Sequence, residues 1–431
     1  MTESPRRGAC PGLSAPMPTG DGLLARLLPA APVPLDPMAG FCAAARQHGN
    51  GIIEVTARGS LQVRGLTPHS ATLFAAAVAE LGIAAQEGVP VIAGFDDGAA
   101  DLLATLLRRT IAEARLALSP KVSVVVDGDG ALHLDGLSAD VRLRVVGADQ
   151  RLKSSALRFH LGFGRGGEKG HAAASGDAPA TTWLGTVALK DAVTAVMHVL
   201  AIIAAHGPAA RASNVFAREG VAAFHAVPGI DPAPAPSMRM LAEMIGLHAM
   251  RDGMMALGVG LVFGHTHADA LAELIRVATR RGVRTMRPAP DRAVLLSGVS
   301  ALNARDLIRA AERLGFVVHA GDPRRRIVAC PGAPACASGL IPARTLASSL
   351  IPVLSSTAGT ERTGIAVHIS GCPKGCAHPH PAALTLVGSP EGCAVIHNGS
   401  ARDATHRYAD PAHLGDEIAH LVAKSTEAAH G

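Results

Sequence analysis

Apolar residues alternate along two short stretches early in the chain, Ile53 and Val55, then Leu61 and Val63, and this period of two predicts a pair of strands. Directly afterwards, Ala71 to Leu81 spaces its apolar residues as a helix does. The same order returns later in the chain. Thr56 to Ile83 lies over Ala289 to Phe316 without a gap, so Leu61-Gln62-Val63-Arg64-Gly65-Leu66 falls on Val294-Leu295-Leu296-Ser297-Gly298-Val299. The helical stretches then end together, in Glu80-Leu81-Gly82-Ile83 and Arg313-Leu314-Gly315-Phe316. Each copy reads as helix, strand, turn, strand, helix.

The correspondence continues with small shifts. Val89-Pro90-Val91-Ile92-Ala93-Gly94 matches Arg326-Ile327-Val328-Ala329-Cys330-Pro331, and Lys121 to Gly128 matches Gly364 to Gly371. The expected fold is therefore α+β and internally duplicated, with a small module followed by a larger α/β module in each half. The expected boundaries are 1–85, 86–210, 211–318 and 319–431. Gly162 to Ala180, rich in Gly and Ala, and Val227 to Pro236, with four prolines, read as joints. Ala192 to Ala205 is the most apolar stretch, but it is short and interrupted by Thr194 and His198, which predicts a buried helix rather than a membrane span.

Composition narrows the function classes. Over 431 residues, 48% are apolar and 17% charged, which is globular rather than disordered. Aromatics are 3%, with Trp183 the single tryptophan, which argues against base-stacking surfaces and nucleic-acid binding. The net charge of +5 is dispersed and suits an anionic small molecule or an acidic protein partner better than DNA. No apolar run follows the basic residues of Met1 to Pro11, so no secretion signal is expected and a cytoplasmic, reducing setting is. There, seven cysteines are better explained by metal or chemistry than by disulfides.

Four of those cysteines form a constellation. Cys330-Pro331-Gly332-Ala333-Pro334-Ala335-Cys336 and Cys372-Pro373-Lys374-Gly375-Cys376 give C-x5-C and C-x3-C, each in a Gly/Pro loop after a predicted strand (Arg326 to Ala329, Ile365 to Ile369). An iron–sulfur cluster needs four converging thiolates and gains from backbone N–H donors, which such loops present. Structural zinc more often uses C-x2-C to C-x4-C spacings, so zinc is the lesser alternative. Cys42 and Cys393 read as core residues. Cys10 stands alone and reads as loop packing.

With these residues in view, the chain resembles the sirohaem-dependent nitrite and sulfite reductase family over nearly its whole length. The likeness is strongest to a branch that uses oxygen in aerobic cobalamin biosynthesis. It is carried by Arg7 to Leu13, Met17 to Leu24, Asp322 to Arg326 and Gly371 to Pro379. The resemblance implies ferredoxin-like half-domains at 1–85 and 211–318. It also implies two nitrite/sulfite reductase-like α/β modules at 86–210 and 319–431, only the latter bearing a 4Fe-4S cluster on Cys330, Cys336, Cys372 and Cys376. It implies hydroxylation of precorrin-3A at C20 with γ-lactone formation, using molecular oxygen and an NADH-linked electron donor. A mononuclear non-haem iron would accompany the cluster. Under the alternative, a nitrite or sulfite reductase, sirohaem would be bound instead. No membrane partner is expected.

The family's Thr-x-Arg contact falls on Thr56-Ala57-Arg58, which makes Arg58 a substrate-carboxylate candidate; Arg64 and Lys121 are further candidates, and a solvated surface role is the alternative for Arg64. In the second copy Ala289 replaces Thr56 and Asp291 falls on Arg58, so the matching contact is not expected there, although Arg287 and Arg292 lie nearby. The reductases' Lys-x-Lys pair is reduced to Lys121-x-Ser123, and Gly88-Val89-Pro90 lacks the second arginine, which weakens a small-oxyanion reading. For the non-haem iron, His265, His267 and Asp269, or His378 and His380, are candidate ligands, and the choice stays open. No catalytic residue is assigned.

Overall fold

The computed structural model describes residues 11–95, 98–147, 157–165, 181–356, 365–405 and 408–409. The first small module comprises β1 (Met17–Thr19), β2 (Gly22–Leu27), β3 (Val33–Pro34), α1 (Leu35–His48), β4 (Ile52–Val55), β5 (Leu61–Leu66) and α2 (Pro68–Glu80). The first larger module follows with β6 (Val91–Ala93), α3 (Gly98–Ala114), β7 (Val124–Asp127), β8 (Val141–Val145), β9 (Arg158–Gly164) and β10 (Thr181–Ala188). It is completed by α4 (Leu189–Ala205), α5 (Ala212–Glu219) and β11 (Ile230–Asp231).

The second half repeats the order. Its small module is β12 (Gly246–Ala249), β13 (Met255–Gly260), β14 (His265–His267), α6 (Ala268–Arg280), β15 (Thr285–Ala289), β16 (Ala293–Val299) and α7 (Ala301–Arg313). Its larger module is β17 (Ile327–Ala329), α8 (Ala343–Ser356), β18 (Val367–Ser370), β19 (Ala382–Ser389), β20 (Gly392–Gly399) and β21 (Tyr408–Ala409). One constant offset carries the start of α1 onto α6 and both ends of α2 onto α7. The caps repeat too: the Thr67 hydroxyl accepts from Ser70 N at 3.0 Å, and the Ser300 hydroxyl accepts from Asn303 N at 3.3 Å.

The two small sheets run β1-β2-β5-β4-β14 and β12-β13-β16-β15-β3. Each therefore takes its last strand from the other half, β14 beside β4 and β3 beside β15. One face of each sheet packs on the helices in a shared core that joins Phe41, Phe74 and Val63 to Leu271, Leu274 and Leu296. The larger sheets run β6-β7-β8-β9-β10-β11 and β17-β18-β19-β20-β21, three parallel strands followed by antiparallel ones. The duplicated α+β architecture thus stands.

Two expectations shift. The core of the first larger module takes in Ala212, Val215, Phe224 and Val227, and its sheet takes β11, so residue 210 falls inside this unit rather than at its edge. The hydrogen-bond register sets Ala93 against Ala329, one residue away from the alignment read in the sequence. Val227 to Pro236 is accordingly part strand, and 166–180 of the other expected joint lies outside the described residues. The predicted apolar helix is α4, whose Ala192, Val196, Val199 and Ile203 are buried. Among the described residues no helix is long and apolar enough to cross a membrane.

Candidate functional site

Parallel neighbours β17 and β18 end on the same side of their sheet, so the loops that follow them meet. Cys330 continues β17, its N–H donating to Ile369 O at 3.1 Å, and its Sγ accepts from Gly371 N–H at 3.0 Å. Across the two loops, Leu340 N donates to Gly371 O at 2.7 Å and Lys374 Nζ to Ser338 Oγ at 2.7 Å. The approach is close enough to require glycine: a Cβ on Gly371 would lie 2.9 Å from Gly332 Cα and 3.2 Å from Gly339 Cα. Burial pushes the Cys330 thiol up, opposed by the N–H groups of Gly371 and Gly332. The Cys376 thiol is pushed up by the protein around it and then by Cys372, Cys330 and Cys336, so the four sulfurs share one locality. Cys330 is buried and Cys376 exposed. Cys42 and Cys393 are buried in hydrophobic cores, Cys393 in the one that also takes in Cys330; burial pushes Cys42 up to about 12. Cys10 lies outside the described residues.

Two arginines hold these loops from the small modules. The Arg64 guanidinium donates to Ala335 O between Cys330 and Cys336, and Arg292 Nη2 donates to Ala377 O, beside Cys376, at 2.8 Å. Arg64 is not free for substrate, as the sequence had suggested. It is buried, donates to both oxygens of Asp21 (3.0 and 2.9 Å) and lies 3.7 Å from Glu54. Glu54 in turn accepts from Arg344 at 2.6 Å. These contacts belong to a polar row across the first small sheet, where His265, Glu54, Gln62 and Arg26 occupy successive register positions.

Arg58 reaches the first larger module, donating to Ser138 O at 2.8 Å and Ser123 Oγ at 3.0 Å. It also lines a small recess of about 10 Å³, no larger than a water molecule needs, with Arg287, Gln86, Phe95 and Pro290. Lys121 is exposed on the turn before β7. The turns carrying Arg58 and Asp291 touch, Asp291 N donating to Ala57 O at 3.2 Å. Asp291 is solvent-exposed, and the protein packed around it raises its carboxyl.

The histidine candidates separate. His265 and His267 lie on the exchanged strand β14, and Asp269 is ion-paired with Arg46 on the surface. Burial, then Arg344, lowers His265 to about 4. His378 and His380 form an edge-to-face row with His368, with ring centroids 5.6 and 5.7 Å apart. The sequence reading missed His368, which is 0% exposed with both ring nitrogens unpartnered. Burial, then His378, lowers it to about 3. Its strand pattern of buried residues gave no sign of a polar one. Also missed was a group with metal-like spacing, Asp127, His133 and Asp135, whose ligand atoms lie within 4.8 Å. Arg239 already donates to both carboxylates at 2.8 Å, and Arg142 and Arg144 flank them, so this group is an ion-pair network and leaves no net negative charge for a cation.

The paired small sheets and the repeated three-parallel-strand modules define the nitrite/sulfite reductase class of fold. A solved structure titled Mycobacterium tuberculosis NirA protein superposes with a TM-score of 0.69 over 92% of this chain and 79% of that one, at 18% identity. No family model matches the chain. It is 26% identical over 304 residues to a ferredoxin-type sulfite reductase of Synechococcus elongatus, covering 66% of this chain and 48% of the relative. It is 34% identical over 428 residues to precorrin-3B synthase of Sinorhizobium sp, covering 97% of this chain and 88% of the relative. The chain belongs to the precorrin-3B synthase family.

Proposed function

We propose that this chain is an oxidoreductase of cobalamin biosynthesis that converts precorrin-3A to precorrin-3B. Molecular oxygen supplies a hydroxyl at C20, and a ring-A acetate closes a γ-lactone. In this reading Cys330, Cys336, Cys372 and Cys376 hold one 4Fe-4S cluster. The observation that carries it is the meeting of two thiol loops beyond adjacent parallel strands, in a chain alike to its relative from end to end.

The donors fit the cluster in kind and number, and Gly371 N–H at 3.0 Å from Cys330 Sγ is the sort of hydrogen bond that stabilises a thiolate ligand. When bound, the cluster supplies single electrons delivered by an NADH-linked donor. Arg64 and Arg292 fix the loops. Exposed Lys121, and Arg58 on giving up its bonds to Ser138 and Ser123, would orient carboxylates of the macrocycle. A mononuclear non-haem iron completes the cofactor set, with His378 and His380 the candidates nearest the thiol loops in sequence. A cytoplasmic setting keeps the thiols reduced.

The test is anaerobic reconstitution with iron and sulfide, incubation with precorrin-3A and a reductant, then admission of oxygen and mass analysis. A product one oxygen atom heavier is expected. Strong sirohaem bands with nitrite or sulfite turnover, and no oxygen incorporated, would overturn the reading. A small oxyanion would find few cations here, because Ser123 stands at the second lysine position with its hydroxyl engaged by Arg58.

A further inference from the structure

The hairpin joining β15 to β16 turns on Asp291 and Arg292, with φ of 59° and 60°. Two left-handed residues in a row are ordinarily Asn-Gly, and each residue bearing a Cβ there costs about 1–2 kcal/mol. An arginine where glycine would relax the backbone points to a use for its side chain. That side chain has a groove made for it. A Cβ on Gly264 would lie 2.7 Å from Arg292 Cδ and 3.2 Å from Cγ. The groove ends at the thiol loop, where Nη2 meets Ala377 O at 2.8 Å.

The charge at this point is unusual. Arg64 grips the other thiol loop, but Asp21 and Glu54 neutralise it. Arg292 forms no salt bridge among the described residues. Burial disfavours its charged form, with only Asp291 opposing, and Arg344 adds to the strain. A partly buried cation beside a redox site favours whichever state is more negative.

We propose that Arg292 is a buried counter-charge of the four-cysteine site and sets how readily that site accepts an electron. The proposal rests on the reading that the cysteines hold an iron–sulfur cluster and goes beyond it. One electron from an external low-potential donor makes the cluster one unit more negative, with no bond made or broken. Arg292 stabilises that product from a largely buried position, whereas Lys374, the cation that acts on Cys376, is solvent-exposed and screened, and Arg64, paired with Asp21 and Glu54, serves chiefly as a tether.

The experiment uses the full chain, reconstituted anaerobically with ferrous iron and sulfide and titrated with dithionite under EPR. Arg292→Gly relieves the turn while removing the charge. Its cluster is expected to be harder to reduce by about tenfold, about 59 mV for a one-electron couple. Arg292→Lys should stay near the parent, whereas Arg64→Met should lower iron and sulfide content. An unshifted midpoint in Arg292→Gly overturns the proposal, as does an equal shift in Arg292→Lys, which would assign the effect to loop geometry. Should Arg292→Gly fail to assemble a cluster, Arg292→Gln decides by the same criterion. A parent protein with no iron or sulfide sinks the reading of the four cysteines, and this proposal with it.

Discussion

The sheets β6–β10 and β17–β21 share order, direction and register, yet their loops end in opposite chemistry. Val125 in the first aligns with His368 in the second, Asp127 with Ser370, Gly128 with Gly371, and Gly94 with Cys330. In the second module Cys330 points its sulfur at Gly371 N–H. In the first, a Cβ on Gly94 would lie 2.8 Å from Asp127 Oδ1, so a carboxylate fills the space a cysteine would need. Arg239 closes that module from the segment linking the halves, bonding Asp127, Asp135 and Gly128 O at 2.8 Å each. The partner sheets follow suit. Against the first module stands an apolar face, with Leu295, Ala289 and Ala293 on Ile92, Phe95 and Val125. Against the second stands the polar row of Glu54 and Gln62 with Arg344. One copy of the scaffold spends its loop positions on stability, and the other holds them open for chemistry.

Substitutions can break or sharpen this contrast. The largest effect belongs to Cys376→Ser, which should abolish most of the iron and sulfide bound, while Cys393→Ser leaves the EPR signal intact; a full cluster in Cys376→Ser would refute its role as ligand. Next, Arg239→Ala removes the hydrogen-bonded partner of Asp127 and Asp135, leaving only the more distant Arg142 and Arg144, and should destabilise the fold by about 3 kcal/mol in urea unfolding. A loss below about 1 kcal/mol would show that the first loop does not depend on its plug.

Smaller and opposite in sign, His368→Val installs the residue of the first module and removes two orphaned nitrogens. It should raise stability by about 1 kcal/mol, and a drop would reveal a partner for the imidazole. The smallest effect concerns pH. Burial, opposed by Arg239, raises the Asp127 carboxyl to about 6, above the unfolded value of about 4. Between those values the folded chain keeps a proton that the unfolded chain has lost, so this contribution is present below about pH 4 and is lost as pH rises through about 6. The stability advantage of the parent over Asp127→Asn should therefore shrink from pH 4 to pH 7, and a constant gap would mean an ordinary carboxyl.

The duplication was legible because strand alternation, the turn glycines and the helix ends repeat at one offset, down to the Thr67 and Ser300 caps. The cysteine site was legible because its loops carry their own spacing. Arg64 misled because its position on a predicted strand says nothing of Asp21, which reaches it from a distant turn. His368 was hidden for the same reason: its surroundings come from other elements, and neither local pattern nor period encodes them. The edge at 210 was misplaced because α5 and β11 add to a core already formed upstream.

The traded edge strands β3 and β14 carry a consequence for how such a chain can be divided. Cut between the halves, each fragment would expose one bare sheet margin and one orphan strand that fits only the other fragment, so neither should be stable alone while a mixture should reassemble. The arrangement has the form of a swapped homodimer whose protomers have been fused, after which each copy could diverge without losing its mate.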